Sequence, residues 1–387
     1  MTTAERESQP HRPELDGIRG LAILGVLCSH IFGMSGILNA VSPSPAETVL
    51  THIAVPMWGG VDLFFVLSGF LITGILLRTR TSANYFTSFY ARRMLRIFPI
   101  YYLALTMSVV AARFSTVVSA ALPSTFVWRF SYFIYLQNWP IFWHGEKVMS
   151  GLWGAYWSLA VEEQFYFVWP LVLLIASPKM VFRICFVGVP CALLLRYYLY
   201  YSYFGNEFGL LQITSSRVDG LLLGSICALY TFLRGRPLPM RSIVACGAVG
   251  ICIIAYITTF QTHELVATGF WMGTIGVSGF ALTSMALVAL SQHNISYLQS
   301  ILTMNWLRQA GKYSYGMYVY HIIIILMLRR SLVSPLTTGL GLGIRFGLPV
   351  KLLTMAAEVI VVFLFAKLSY DLFESRFLRL KRYFNPT

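Results

Sequence analysis

Ten stretches of this chain are apolar over about the length that a bilayer's hydrocarbon core asks of a helix. They lie near 18–37, 59–77, 97–113, 157–177, 182–203, 217–233, 242–260, 268–290, 314–328 and 347–372. In lipid no water is available to a bare peptide group, so each stretch must close its own hydrogen bonds as a helix. The expectation is an all-α, polytopic membrane protein. Composition agrees: 57% of the 387 residues are hydrophobic and 11% charged, with mean hydropathy +0.68. Soluble domains carry about 25% charged residues. No internal repeat, low-complexity linker or soluble domain interrupts the pattern, which places one membrane domain over 1–375 and a short basic tail over 376–387. No cleavable signal is expected, because the first apolar run is itself long enough to span and no small-residue cleavage pattern follows it.

The net charge of +14 invites a nucleic-acid partner, but the arginines gather at the ends of apolar spans rather than on one soluble face. With the N-terminus in the cytoplasm and ten alternating spans, the cytoplasmic segments hold twenty of the 29 basic residues. That bias predicts ten crossings with both termini cytoplasmic. It also requires that the interrupted stretch 115–136, which contains Pro123 and Arg129, does not cross. We read it as a re-entrant or interfacial segment. Arg329 and Arg330 fall outside and are the main exception. The external segment 137–157 carries Trp139, Trp143, Trp153 and Trp157 with His144, Glu146 and Lys147. It reads equally as an aromatic belt at the headgroups or as a platform for sugar rings. The six cysteines lie in or beside apolar spans without CxxC spacing, so they read as packing residues rather than a disulfide or metal framework.

The first span holds one arginine at its mouth, Arg19, and one histidine inside, His30. Eleven positions at about 100° each make three turns plus about 20°, so both share a face, roughly 16 Å apart along the axis. If Arg19 marks one edge of a core about 30 Å thick, His30 sits near the midplane. An ionisable group at that depth marks a functional site by default; the alternative is a histidine hydrogen-bonded within the bundle. In Trp157–Pro170 two adjacent carboxylates, Glu162 and Glu163, stand inside an apolar helix. Glu163 lies about 9 Å below the outer edge, where a carboxylate can orient a buried imidazole. Adjacent residues point about 100° apart, so only one is expected to face His30: Glu163 first, Glu162 in reserve.

Arg93 and Arg96 are three apart and share a helix face, which suits bidentate phosphate binding. Arginines flanking a span are also ordinary topology signals. The span from Gly60 has small residues at Gly60, Ser68, Gly69 and Gly74 that permit close helix approach. Asp62 near its outer end either pairs with a base or meets water. Arg217 and Asp219 either bind substrate or, our preference, pair with each other. His321 and Tyr318 share a face and are candidates for the acceptor side, while Arg196 and Glu358 read as structural partners.

Taken in order, these motifs resemble membrane acyltransferase family 3, the bacterial O-acyltransferases that modify extracytoplasmic sugars. The residues that carry the resemblance are Arg19 with ten residues before His30, the run Gly60–Phe70, Arg93-x-x-Arg96, Trp157–Tyr166, Arg217–Gly220 and Gly311–His321. The match covers nearly the whole chain. The resemblance implies ten transmembrane helices in a bacterial inner membrane. It implies an acyl-CoA donor, usually acetyl-CoA, on the cytoplasmic side and a saccharide hydroxyl on the other. It also implies that His30 is essential and that Arg19, Arg93 and Arg96 serve the donor. Some relatives carry an appended extracytoplasmic esterase-like domain, so that stage is expected to be absent here or supplied by another protein.

Coenzyme A fits the spacing, since arginines at the mouth can hold its phosphates while the thin pantetheine arm reaches toward His30. His30 then serves as general base on the acceptor hydroxyl, with Tyr166 or Ser68 as candidate oxyanion donors. A route through an acyl-enzyme stays open. No permanently bound cofactor, metal or nucleic acid is expected; the partners are acyl-CoA, membrane lipid and a saccharide such as O-antigen, free or lipid-linked. Two other functions are compatible with the residues: a proton-coupled transporter or flippase built on the buried His and Glu, and an acyltransferase for a small-molecule glycoside.

Overall fold

The structure is a computed structural model that describes residues 12–34, 44–144, 151–202, 207–261, 269–329 and 347–387. Glu146, Lys147 and Arg330 lie outside the described residues. Every regular element among the described residues is helical. The ten apolar stretches become ten long helices: α1 (Pro13–Met34), α2 (Gly60–Thr79), α3 (Tyr85–Ala111), α4 (Trp157–Ile175), α5 (Pro178–Ser202), α6 (Thr214–Arg234), α7 (Met240–Phe260), α8 (Val277–Leu290), α9 (Asn305–Leu328) and α10 (Gly347–Ser369). Nine helical segments among the described residues are long and apolar enough to cross a membrane. The exception, α9, runs 24 residues but opens with Asn305, Arg308, Gln309 and Lys312, which dilute its apolar content. Large side chains such as Phe167, Phe186, Phe260 and Leu353 stand exposed on the outside, as a surface facing lipid requires. All six cysteines are free.

The stretch 115–136 folds as two short helices, Thr116–Ala120 and Phe126–Phe133, of 5 and 8 residues. At about 1.5 Å per residue neither crosses a bilayer. Their ends are set locally: Ser115 accepts from the Val118 amide, Thr125 from the Trp128 amide, and Arg129 Nε donates to the Pro123 carbonyl at 2.7 Å. Helix directions give the same answer. Trp157 meets Phe65 edge to face, Tyr166 bonds Ser68, and Trp169 Nε1 donates to Thr73 Oγ1 at 2.8 Å, so α4 runs parallel to α2. Asp62 meets Arg217 and Thr73 meets Ser225, so α6 does too. With α3 in between, that parity holds only if 115–136 returns to the side it came from.

Two crossings hold the bundle, and both depend on missing side chains. Where α2 meets α6, a Cβ on Gly69 would lie 1.9 Å from the Leu221 carbonyl oxygen, and one on Gly224 would lie 1.9 Å from the Val66 carbonyl oxygen. Where α1 meets α9, a Cβ on Gly311 would lie 1.8 Å from the Asp16 carbonyl oxygen. Backbone contact of this kind is how helices associate when the solvent is itself apolar. The chain end closes the arginine-rich side. Ser88 Oγ donates to the Phe384 carbonyl at 2.9 Å, and the Ala83 amide to the Thr387 carbonyl at 2.8 Å, so the basic tail lies along the start of α3.

The exceptional Arg329 also has an explanation. Its guanidinium makes a two-point bond to Glu358 of α10, at 2.6 and 2.8 Å, and donates to the Ile31 carbonyl. Its charge is neutralised within the fold and does not vote on topology.

The packing predicts that Gly224→Val prevents normal folding, since the obstructing atoms are backbone and overpacking alone costs about 1–3 kcal/mol. Gly33→Ala, with nothing within 4 Å of the added carbon, is neutral. Size-exclusion profiles and thermal unfolding in detergent compare the two.

Candidate active site

Arg93 and Arg96 project from one face of α3, and Arg92, about 100° round the helix, turns instead to the chain end, donating to Asn385 Oδ1 at 2.8 Å. Arg93 and Arg96 join Arg19 of α1 around one cavity of about 100 Å³. A second cavity of about 390 Å³ adjoins it, lined by Arg19 and Arg96 again together with Asp16, Arg308, Lys312 and Glu374. Arg19 Nη1 donates to Asp16 Oδ1 at 3.0 Å. Among the described residues neither Arg93 nor Arg96 has a carboxylate within ion-pair distance. The Arg93 guanidinium instead lies 5.3 Å from the Tyr166 ring centroid. Two unpaired guanidiniums at the edge of a membrane domain make a receptor for anions.

From the arginines the smaller cavity runs between α2, α4 and α9. Ser68 and Tyr166 hydrogen-bond to each other on its wall, beside Glu162 and Glu163. Among the described residues, Glu163 Oε1 is buried without a hydrogen-bond partner. Phe64, Ser158 and Tyr318 line the end away from the arginines. Tyr318 is held there by its hydroxyl, which donates to the Ala155 carbonyl at 2.8 Å and also meets Ser158.

His30 is not part of this lining, so an open shaft from Arg19 to His30 is not what the structure contains. Tyr318 bridges the gap: its ring lies 5.5 Å from that of His321, and His321 Nε2 lies 2.9 Å from His30 Nδ1. The expected carboxylate beside His30 is also corrected. Its ring partner is His321, because α1 packs along α9, whereas α4 packs against α2 and carries Glu162 and Glu163 to the arginine side.

The pairing of Arg217 with Asp219 is corrected too. Residues two apart on a helix point to opposite sides, and each finds a partner elsewhere. Arg217 Nη2 donates to Asp62 Oδ1 at 2.9 Å, with the rings of Trp58, Phe65 and Trp157 within 6 Å of its guanidinium carbon. Asp219 Oδ2 accepts from Arg196 Nη2 at 2.7 Å and from Ser278 Oγ at 3.2 Å. All four charged side chains are 1% exposed. They form the structural frame behind the cavity rather than its wall.

Sequence reasoning missed Ser158, Tyr315, Arg308 and Lys312 as lining residues. Arg308 and Lys312 are four apart and therefore on one face of α9, a signal that the topology reading absorbed.

Against known proteins, a family model described as an acyltransferase domain matches residues 12–367. This chain belongs to that acyltransferase family. Among curated relatives, the chain is 28% identical to the peptidoglycan O-acetyltransferase OatA of Listeria monocytogenes over 84% of its own length and 51% of that protein. It is 29% identical to the putative peptidoglycan O-acetyltransferase YrhL of Bacillus subtilis over 83% and 50%, and 26% identical to the O-acetyltransferase OatA of Staphylococcus aureus over 82% and 51%. The chain thus spans about half the length of these relatives. No solved structure matches it.

Removing one member of a buried ion pair strands the other, at about 3–5 kcal/mol. Asp62→Ala is therefore expected to lower the unfolding temperature markedly, and Asp62→Ala with Arg217→Met to recover much of the loss. Thermal unfolding in detergent checks this, and an Asp62→Ala protein of full stability contradicts the structural assignment.

Proposed function

We propose that this protein is a membrane O-acetyltransferase that takes an acetyl group from acetyl-CoA in the cytoplasm and delivers it to a hydroxyl of cell-wall glycan outside a bacterial plasma membrane. Both termini then lie in the cytoplasm. One observation carries the donor assignment: Arg93 and Arg96, without carboxylate partners among the described residues, converge with Arg19 on the cavity. Phosphates of coenzyme A supply the missing negative charge, and the adjoining cavity, with Arg308 and Lys312, gives the nucleotide room. The narrow cavity beyond suits the unbranched pantetheine arm. The glycan assignment rests on the relatives, which are named for peptidoglycan or O-acetyl transfer. It replaces O-antigen as the acceptor of choice.

In this reading the thioester passes Ser68 and Tyr166 and displaces the Phe64–Tyr318 closure, whose rings lie 6.2 Å apart edge to face. Swinging Tyr318 off its Ala155 and Ser158 bonds opens the way to the His321–His30 pair. His30 then removes the proton of the acceptor hydroxyl as its oxygen attacks the thioester carbonyl. The tetrahedral adduct collapses, the C–S bond breaks, and the thiolate takes the proton back from the imidazolium. The hydroxyl of Tyr318, whose ring lies 5.5 Å from that of His321, is then the candidate to donate to the developing oxyanion, since Ser68 and Tyr166 stay behind on the arginine side. Neither the buried Arg217–Asp62 pair nor the Arg196–Asp219 pair takes part.

General base catalysis contributes about 10²–10⁴-fold. His30→Ala is therefore expected to remove O-acetyl groups from the wall glycan of cells that still express the protein, as read by mass spectrometry of the glycan. Arg93→Ala removes charge-assisted bonds of about 1.5–3 kcal/mol, so KM for acetyl-CoA should rise tenfold or more with a smaller change in kcat. Unchanged glycan acetylation in His30→Ala, or an unchanged KM in Arg93→Ala, overturns the respective assignment.

A further inference from the structure

His30 is joined to His321 in a way that determines where its protons sit. The two imidazoles are tilted by 13°, with centroids 5.0 Å apart and Nδ1 of His30 2.9 Å from Nε2 of His321. Rings that far apart with nitrogens that close are joined edge to edge by a hydrogen bond. The other nitrogen of His321, Nδ1, lies 2.6 Å from the main-chain carbonyl of Tyr318. A carbonyl oxygen only accepts, so His321 Nδ1 must carry a proton. No carboxylate pairs with either ring among the described residues, and burying a lone cation is costly. Both rings are therefore neutral at rest, which leaves His321 Nε2 with a lone pair. His30 Nδ1 must then donate to it, and the lone pair of His30 falls on Nε2.

We infer that His321 is a positioning residue that holds His30 in the Nδ1–H form, with Nε2 bare and ready to take the acceptor's proton. This rests on the reading of His30 as general base and adds the device that prepares it. The chain of bonds starts at a main-chain carbonyl of α9, which cannot titrate or rotate away. A neutral histidine here does the orienting work often done by a carboxylate, and does it without placing a fixed charge in the membrane. When the acceptor O–H bond breaks, the proton forms a new N–H bond at His30 Nε2. The resulting positive charge is shared along the Nδ1–H bond to the lone pair of His321. When the C–S bond breaks, that proton leaves with the thiolate and the pair returns to neutral.

The glycine contacts explain how the two rings meet. Gly311 of α9 seats on Asp16 of α1, and ten residues further along α9 His321 meets His30, fourteen residues further along α1. The helices run in parallel, so the close backbone crossing at one end sets the register of the histidines at the other. His321 is 0% exposed and His30 is half-buried. The inner ring is thus the packed support and the outer ring the one open to reactants.

The test uses the full chain, labelled with ¹⁵N-histidine and reconstituted in lipid, with His30→Gln spectra assigning the His30 signals. The wild type should show His30 protonated at Nδ1. His321→Leu removes the acceptor, so the His30 proton should move to Nε2 in most molecules. In the same preparations, His321→Leu should lower kcat for acetyl transfer by about 10–100-fold, the range for lost orienting partners, with KM for acetyl-CoA within about twofold. His321→Gln offers an amide oxygen near the position of Nε2 and should recover most of the rate and the Nδ1–H form. A His321→Leu protein with wild-type kcat, or with the His30 proton still on Nδ1, overturns the positioning role. Full activity of His30→Ala overturns instead the general-base reading beneath it, and the spectra still report the tautomer, so the two failures are distinct.

Discussion

A charge in hydrocarbon must find a partner or reach water, and this one requirement organises the molecule. Three guanidiniums embedded in the bundle find carboxylates: Arg217 with Asp62, Arg196 with Asp219 and Arg329 with Glu358. Each pair ties two helices together: α2 to α6 across 155 positions, and the consecutive pairs α5–α6 and α9–α10. Once those are subtracted, Arg93 and Arg96 remain, facing a cavity in company with Arg19. The arrangement separates charges that hold the protein together from charges free to hold something else. A phosphate-rich donor is the chemistry that completes the second set.

The same solvent explains why glycine matters so much here. Helices in lipid gain little from burying apolar side chains against each other and associate through close backbone packing. Gly69 and Gly224 bring α2 and α6 into contact, and Gly17, Gly20 and Gly311 do so for α1, α9 and the short helix Ser296–Leu302 before it. These contacts place side chains 155 and 291 positions apart in sequence within hydrogen-bond reach, Asp62 with Arg217 and His30 with His321. Structure near the site is therefore inherited from glycines that never touch it. Phe64 and Tyr318 line the cavity edge to face, and Tyr318 in turn contacts His321, the ring partner of His30.

Much of this was legible in the residues. Apolar runs located every long helix, because lipid leaves no other way to satisfy the backbone. The Arg93–Arg96 spacing placed both on one face, and the structure puts both on the cavity wall while sending Arg92 to the chain end. Basic residues at span ends led to a non-crossing 115–136, and the parallel run of α2, α4 and α6 requires it. What was not legible was which distant side chains meet. Glu163 and His321 were both plausible neighbours of His30 by depth alone, and depth does not say which helix packs on which. Arg217 beside Asp219 misled because proximity in sequence is not proximity on a helix. The closure at Tyr318 depends on one side chain's hydrogen bonds to Ala155 and Ser158, which no periodicity reveals.

The central claim is directional: the donor enters at the arginines and its acetyl group leaves on the opposite face. Sealed proteoliposomes holding the protein in one orientation, with a peptidoglycan oligosaccharide trapped in the lumen and radiolabelled acetyl-CoA added only outside, test it directly. With the arginine end outward, label should appear on the trapped saccharide while the vesicles stay impermeable to coenzyme A. Transfer only when donor and saccharide share a compartment, or equal transfer in either orientation, would contradict the account.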